Sequence, residues 1–342
     1  MKEDMMKYKP GTGGGFVRPE SAFRNFVSRD PKSKFPAEKG RYALYLTPGC
    51  PWSHRTTIVR AIKQLEDIVD LYLCHDIMGK DGWYFTDDPE EAARSGSLPV
   101  DPLYGFKTVR ELYLKVDPNY TGRITVPVLW DKKTHTMVNN ESSEIIRMFY
   151  TEFDHLLPEA DREANRPGGG LYPEHLRKDI DEINDWIYNT VNNGVYKTGF
   201  AFTQEAYNDN VDKVFQSLDR LEKLLSEPAH QPFLFGEHIT EADLRLFPTI
   251  IRFDVAYVPI FMCNLGTVRH NYPSLHLWLR RLYWDKSERT HGGIYSTTQP
   301  WLGQYKEGYS KARPRILGIT GPLIVPKGPR VLIHELNKDE IL

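Results

Sequence analysis

Thr47-Pro48-Gly49-Cys50-Pro51-Trp52-Ser53-His54-Arg55 is the stretch on which the reading of this chain turns. Arg41-Tyr42-Ala43-Leu44-Tyr45-Leu46 runs ahead of it, short, aromatic and apolar, and reads as a buried strand. Behind it, Ile58, Ala61, Ile62 and Leu65 recur at helical spacing. Cys50 therefore stands where a strand hands over to a helix. Pro51 suits the first helical position, where its missing N–H would be unpaired in any residue. A thiol at that point faces unpaired backbone N–H groups and the positive end of the helix dipole, and both favour the nucleophilic thiolate. Ser53 stands where a dithiol motif carries its second cysteine, so Cys50 reads as a monothiol nucleophile that an outside thiol must resolve. The alternative is a cysteine that merely packs. A Pro-Gly turn before it and a helix after it favour the nucleophile.

At 342 residues the chain is long enough for two domains, and its 40% hydrophobic and 26% charged residues are ordinary for a soluble protein. The formal net charge of −2 predicts no broad attraction to nucleic acid or to an anionic membrane. Three cysteines, Cys50, Cys74 and Cys263, are too few and too scattered for a disulfide framework and suit a reducing compartment. No apolar run reaches the length of a membrane span, and no signal core or transit pattern opens the chain, so a cytoplasmic location is expected. The histidines show no metal-ligand spacing, and no metal is expected. His54 reads as a packing or hydrogen-bonding residue of the first helical turn.

In order, residues 1–40 read as an N-terminal arm. Its Gly11-Thr12-Gly13-Gly14-Gly15 has no strand before it and no Lys-Ser/Thr after it, so it does not read as a phosphate cradle. Residues 41–156 read as one domain. After the Cys50 strand and helix comes a second strand, Val69 to Cys74, and then a long irregular stretch from about Asp76 to Gly122. Within that stretch Val109 to Val116 is a short helix or a strand. Arg123 to Asp131 reads as a strand interrupted by Pro127, with a cis bond invited at Val126-Pro127. A turn and a returning strand at His135 to Val138 follow, and Asn140-Glu141-Ser142-Ser143 caps a helix carrying Ile145, Ile146, Met148 and Phe149.

Residues 157–172, rich in Pro, Gly and charge, read as a linker. Residues 173–342 read as all-helical, with helices over Pro173 to Val191, Gln204 to Leu225, from Thr240 past Phe253, and Ser274 to Trp284. Thr240-Glu241-Ala242-Asp243 resembles a capping box. The tail from Trp301 is expected as an extended coil on the helical domain.

This order, an α/β thioredoxin-like N-terminal domain followed by an all-α C-terminal domain, resembles the glutathione transferase fold. Cys-Pro-Trp-Ser-His-Arg, then Thr125-Val126-Pro127-Val128-Leu129-Trp130-Asp131 and Asn140-Glu141-Ser142-Ser143-Glu144-Ile145-Ile146, are similar to the Xi class, the glutathionyl-hydroquinone reductases. Phe16-Val17-Arg18, Ser21-Ala22-Phe23-Arg24, Gly82-Trp83 and Ile324-Val325-Pro326-Lys327-Gly328-Pro329 extend the likeness over nearly the whole chain.

The resemblance implies glutathione as co-substrate, glutathionylated aromatic substrates, and a homodimer. It implies that Val126, held by Pro127, presents its backbone to the cysteinyl part of the tripeptide. Glu141 takes the γ-glutamyl ammonium, and Ser142 with the helix N–H groups takes its carboxylate. Trp83 and Arg123 line the tripeptide site. Cys50 is the catalytic nucleophile. Tyr196 and Tyr309 are the phenols that hydrogen-bond a quinone oxygen, with Tyr305 as the alternative to Tyr309. Two other functions compete: an Omega-like thiol transferase or dehydroascorbate reductase, and a non-catalytic binding module of the same fold.

Overall fold

The computed structural model describes residues 10–342, so the first nine residues of the expected arm lie outside the described residues. The chain divides into a sheet unit, Pro19–Arg166, and a helical unit, Pro167–Leu342 together with residues 10–18.

The sheet unit is built on four strands, β1 (Tyr42–Leu46), β2 (Val69–Leu73), β3 (Val128–Asp131) and β4 (Thr136–Asn139), in the order β2-β1-β3-β4. β1 runs parallel to β2 and antiparallel to β3, and β3 pairs antiparallel with β4. Every residue of β1 is buried, as expected of a central strand covered on both faces, and this is why it reads as a continuous apolar run. On one face Ala43, Tyr45, Val128 and Trp130 pack with Val109, Leu112, Tyr113 and Val126. On the other, Tyr42 meets Phe153 edge to face, and α1 (Pro51–Ile62) packs against α4 (Ser142–Thr151). Arg41 locks the register with a two-pronged contact to Asp131, Nε to Oδ1 at 2.9 Å and Nη2 to Oδ2 at 2.6 Å.

The stretch expected as irregular, Asp76 to Gly122, contains two helices, α2 (Pro89–Ser95) and α3 (Val109–Val116). Asp88 caps α2 by accepting from the Glu90 and Glu91 N–H groups, and Thr108 with Glu111 forms a capping box on α3. α2 shows no apolar period because only Ser95 of its residues is buried. The strand expected over Arg123 to Asp131 is shorter, beginning only at Val128, after a Val126-Pro127 bond that is cis.

In the helical unit, α5 (Arg177–Ile187) continues through a π-helical turn at Tyr188–Asn192 into α6 (Gly194–Gly199). α7 (Gln204–Ser226), α8 (Glu241–Arg252) and α9 (Pro273–Trp284) follow, and a second π-helical turn, Phe253–Tyr257, continues α8. The capping box at Thr240 and Asp243 forms as expected. The expectation of an extended tail from Trp301 is corrected: Tyr305–Leu317 is a helix, α10, and only from Gly318 is the chain extended. Gly308 and Pro314 weaken its helical pattern, yet Tyr305, Tyr309 and Ile316 are buried along it, and packing overrides propensity.

Candidate active site

Cys50 is the N-cap of α1, half-buried, with Pro51 at the first helical position. Its sulfur thus lies at the positive end of the helix. The thiol donates to the Val126 carbonyl, with Sγ and O 3.6 Å apart. Gly49 before it lets the chain pass close to the Asp76 carbonyl, since a Cβ there would stand 3.3 Å from that oxygen. Cys50, Trp83 and Val126 share one apolar cluster on the sheet, and the Trp83 carbonyl accepts from Val109 at the start of α3. Arg123 is half-buried, and its carbonyl accepts from Tyr120. The other two cysteines are fully buried, and burial pushes both thiols far up, which leaves Cys50 as the accessible sulfur. His54 is buried on α1.

Two polar features near the starts of β3 and α4 stand unsatisfied. No group among the described residues accepts from the Val126 N–H, although Val126 is buried. At the start of α4 the Ser142 hydroxyl is buried with no partner, and the Ser142 N–H has none either. Buried polar groups are ordinarily paired, so these unpaired ones are candidates for a ligand. A carboxylate fits the pair at Ser142. Beside it, Glu141 accepts from the Ser143 N–H at 3.2 Å, the Ser143 hydroxyl at 2.9 Å and the Ser21 hydroxyl at 3.0 Å. Burial pushes its carboxyl up, but these hydrogen bonds and the nearby Arg55 cation outweigh that and hold it below the usual range. Glu141 is therefore an anion suited to an ammonium. Ser21 was quoted in the sequence only as part of a likeness; its contact crosses 120 residues and carries no local signal.

The helical unit holds a second constellation. The Tyr309 hydroxyl lies 3.0 Å from that of Tyr196 and 3.0 Å from that of Tyr257. Phe261 supports all three rings, with centroids 5.4, 5.2 and 5.2 Å from those of Tyr196, Tyr257 and Tyr309. Gly199 allows this approach, because a Cβ there would fall 2.3 Å from the Phe261 ring. Arg18 lies 4.9 Å from the centroid of Tyr196 and donates to the Asn193 side chain at 2.8 Å. Tyr196 and Tyr309 are thus brought together, while Tyr305 lies beneath the Arg252 guanidinium, 3.8 Å from its ring centroid. Tyr257 was missed. Among 19 tyrosines nothing in the sequence singles it out, because its place depends on the π-helical turn that carries it. Among the described residues no His, Cys, Asp and Glu cluster is arranged to hold a metal, and no helix is long and apolar enough to cross a membrane.

Family models for the glutathione S-transferase N-terminal and C-terminal domains match residues 49–152 and 204–281. A "Glutathione S-transferase omega-like 2" of Schizosaccharomyces pombe is 47% identical over 318 residues, 92% of this chain and 94% of its own. The "Glutathionyl-hydroquinone reductase YqjG" of Escherichia coli is 47% identical over 278 residues, 80% of this chain and 79% of its own. Its solved glutathione-bound structure superposes with a TM-score of 0.79, covering 93% of this chain and 96% of that one at 41% identity. The glutathione-S-transferase Xi of Phanerochaete chrysosporium superposes with a TM-score of 0.86 at 47% identity, covering 98% of this chain and all of its own.

Proposed function

Because this chain belongs to the Xi-class glutathione transferases, the family of the glutathionyl-hydroquinone reductases, we propose that it removes glutathione from S-glutathionyl-hydroquinones. The observation that carries the reading is the Cys50 thiol on a helix N-cap, 3.6 Å from the carbonyl of a residue whose N–H is unpaired. That arrangement offers a sulfur nucleophile beside an open backbone edge, which suits attack on the sulfur of a bound cysteinyl peptide.

In this reading Val126 pairs with the cysteinyl backbone, Glu141 holds the ammonium, and Ser142 and its N–H hold the γ-glutamyl carboxylate. Trp83 and Arg123 line the tripeptide, and Pro127 holds Val126 in place. The Cys50 thiolate attacks the glutathione sulfur. A sulfur–sulfur bond forms and the bond from sulfur to the ring breaks. With the ring in its keto tautomer, the freed electron pair settles on the quinol oxygen, which Tyr196 and Tyr309 hydrogen-bond and protonate. A second glutathione gives up its thiol proton and attacks the mixed disulfide as a thiolate. Oxidised glutathione leaves and the Cys50 thiolate is restored. One glutathionyl-hydroquinone and one glutathione thus give one hydroquinone and one oxidised glutathione. Three scattered cysteines suit a reducing cytoplasm, and the family resemblance implies a homodimer, read by light scattering.

The test is a panel of three substrates, a glutathionyl-hydroquinone, dehydroascorbate and a mixed-disulfide peptide, with the native protein and Cys50→Ala. The native protein should turn over the glutathionyl-hydroquinone, and Cys50→Ala should lose turnover while retaining glutathione binding. Activity confined to dehydroascorbate or the mixed disulfide would make this an Omega-like thiol transferase. No activity and no thiol reactive toward maleimide near neutral pH would make it a binding module.

A further inference from the structure

Arg252 ends α8 and is wholly buried. Its Nη1 donates to the Pro248 carbonyl at 2.8 Å, one turn earlier, and its guanidinium stacks 3.8 Å from the Tyr305 ring centroid. Taking a guanidinium out of water is costly, so its surroundings must favour the charge. What faces it is phenolic. Tyr305 and Tyr309 come from α10, Tyr257 from the π-helical turn that follows Arg252 itself, and Tyr196 from α6. The Tyr305 hydroxyl is buried and unpartnered, while Tyr309 joins Tyr196 and Tyr257 into one hydroxyl chain. A second cation, Arg18, lies over the ring of Tyr196.

Burial pushes the Tyr257 phenol far up, the neighbouring phenols of Tyr196 and Tyr309 push the same way, and Arg252 pulls it back. Burial likewise pushes up Tyr305, again against the pull of Arg252. Burial presses Arg252 towards neutrality, but the four phenols, once ionised, outweigh it, so guanidinium and phenolate favour each other here.

We infer that Arg252 is a positioning residue for the hydroquinone step, a buried cation that lets the Tyr196–Tyr309–Tyr257 chain carry one negative charge. The inference rests on the reductase reading above. When the carbon–sulfur bond breaks, the quinol oxygen takes a proton from the chain and leaves a phenolate behind. That phenolate takes a proton back from solvent, balanced by the one the second glutathione releases. A mixed disulfide leaves as a thiolate and places no charge on the phenols, so its reduction does not draw on Arg252.

The experiment compares the native protein with Arg252→Met and Arg252→Lys. kcat/KM is measured for a glutathionyl-hydroquinone and for a mixed-disulfide peptide across pH, and phenolate absorbance is followed in an alkaline titration. Arg252→Met should lose roughly tenfold to a hundredfold on the hydroquinone and little on the disulfide. The phenolate absorbance that Tyr309→Phe removes from the titration should appear at higher pH in Arg252→Met than in the native protein. Arg252→Lys should restore most of the hydroquinone rate near neutral pH and lose it as pH rises, because a buried lysine gives up its proton where arginine does not. If Arg252→Met does not fold, the pH-dependent advantage of Arg252→Lys decides alone. Equal losses on both substrates, an unmoved phenolate titration, or a lysine variant with no pH-dependent advantage would overturn the role of Arg252 and leave the reductase reading standing. A native protein without hydroquinone turnover would overturn both.

Discussion

At the scale of single residues, the two constellations make separable demands. Ser142 has an unpaired, buried hydroxyl, and Glu141 is an anion held by three donors. Ser142→Ala and Glu141→Gln should raise KM for glutathione about tenfold, the loss of one hydrogen bond to a charged group, with a smaller effect on kcat. Steady-state kinetics with varied glutathione read this; an unchanged KM would remove both residues from the tripeptide site. Tyr196→Phe and Tyr309→Phe should each cost about 1–3 kcal/mol, tenfold to a hundredfold in kcat/KM, on a glutathionyl-hydroquinone but little on a mixed disulfide. The sulfur leaving group of a disulfide needs no proton, whereas a ring oxygen does. Equal losses on both substrates would mean that the tyrosines only support the fold. Cys50 was legible because a strand, a Pro-Gly turn and a helix bracket it within a dozen residues. Tyr257 and Ser21 were not, because their partners lie 52 and 120 residues away and no spacing encodes such contacts.

At the scale of elements, local rules held where caps and periods were strong. Asp243, fully buried at the start of α8, accepts from the Leu234 N–H at 3.0 Å, the Thr240 N–H at 2.9 Å and the Trp278 indole at 2.8 Å. Asp243→Ala would strand these three donors and the Thr240 hydroxyl, which donates to Oδ2 at 3.0 Å, and should lower stability by about 3–5 kcal/mol, read by urea unfolding; a loss under about 1 kcal/mol would contradict this account of the cap. The tail helix α10 was illegible for the opposite reason. Its sequence weakens the helix with Gly308 and Pro314, and the burial of Tyr305, Tyr309 and Ile316 along it holds it. On α9, His276 is held down to about 4 by burial, by the Arg280 cation and by His334. The unfolded chain therefore takes up a proton at His276 below its ordinary 6.5, which the folded protein refuses until about 4. Stability should fall as pH drops through that window and level off beneath it. His276→Phe should flatten this part of the stability curve, and parallel curves for the two proteins would contradict it.

At the scale of the whole molecule, the fold class was legible because each unit announces its own periodicity. Strands and a hairpin lead up to α4, and after Pro167 the described residues form helices with no named strand. What the sequence hid were α2 in the long β2–β3 connection and α10 along the tail, while it left α3 open between helix and strand. The central claim is that glutathione passes from an aromatic ring to one thiol of this protein. The most direct measurement is intact-mass and peptide mass spectrometry after mixing the reduced protein with one equivalent of glutathionyl-hydroquinone and no free glutathione. One glutathione should appear on Cys50, with one hydroquinone released per protein, and added glutathione should strip the adduct as oxidised glutathione. Hydroquinone released without an adduct on Cys50, or an adduct on Cys74 or Cys263 instead, would contradict the account.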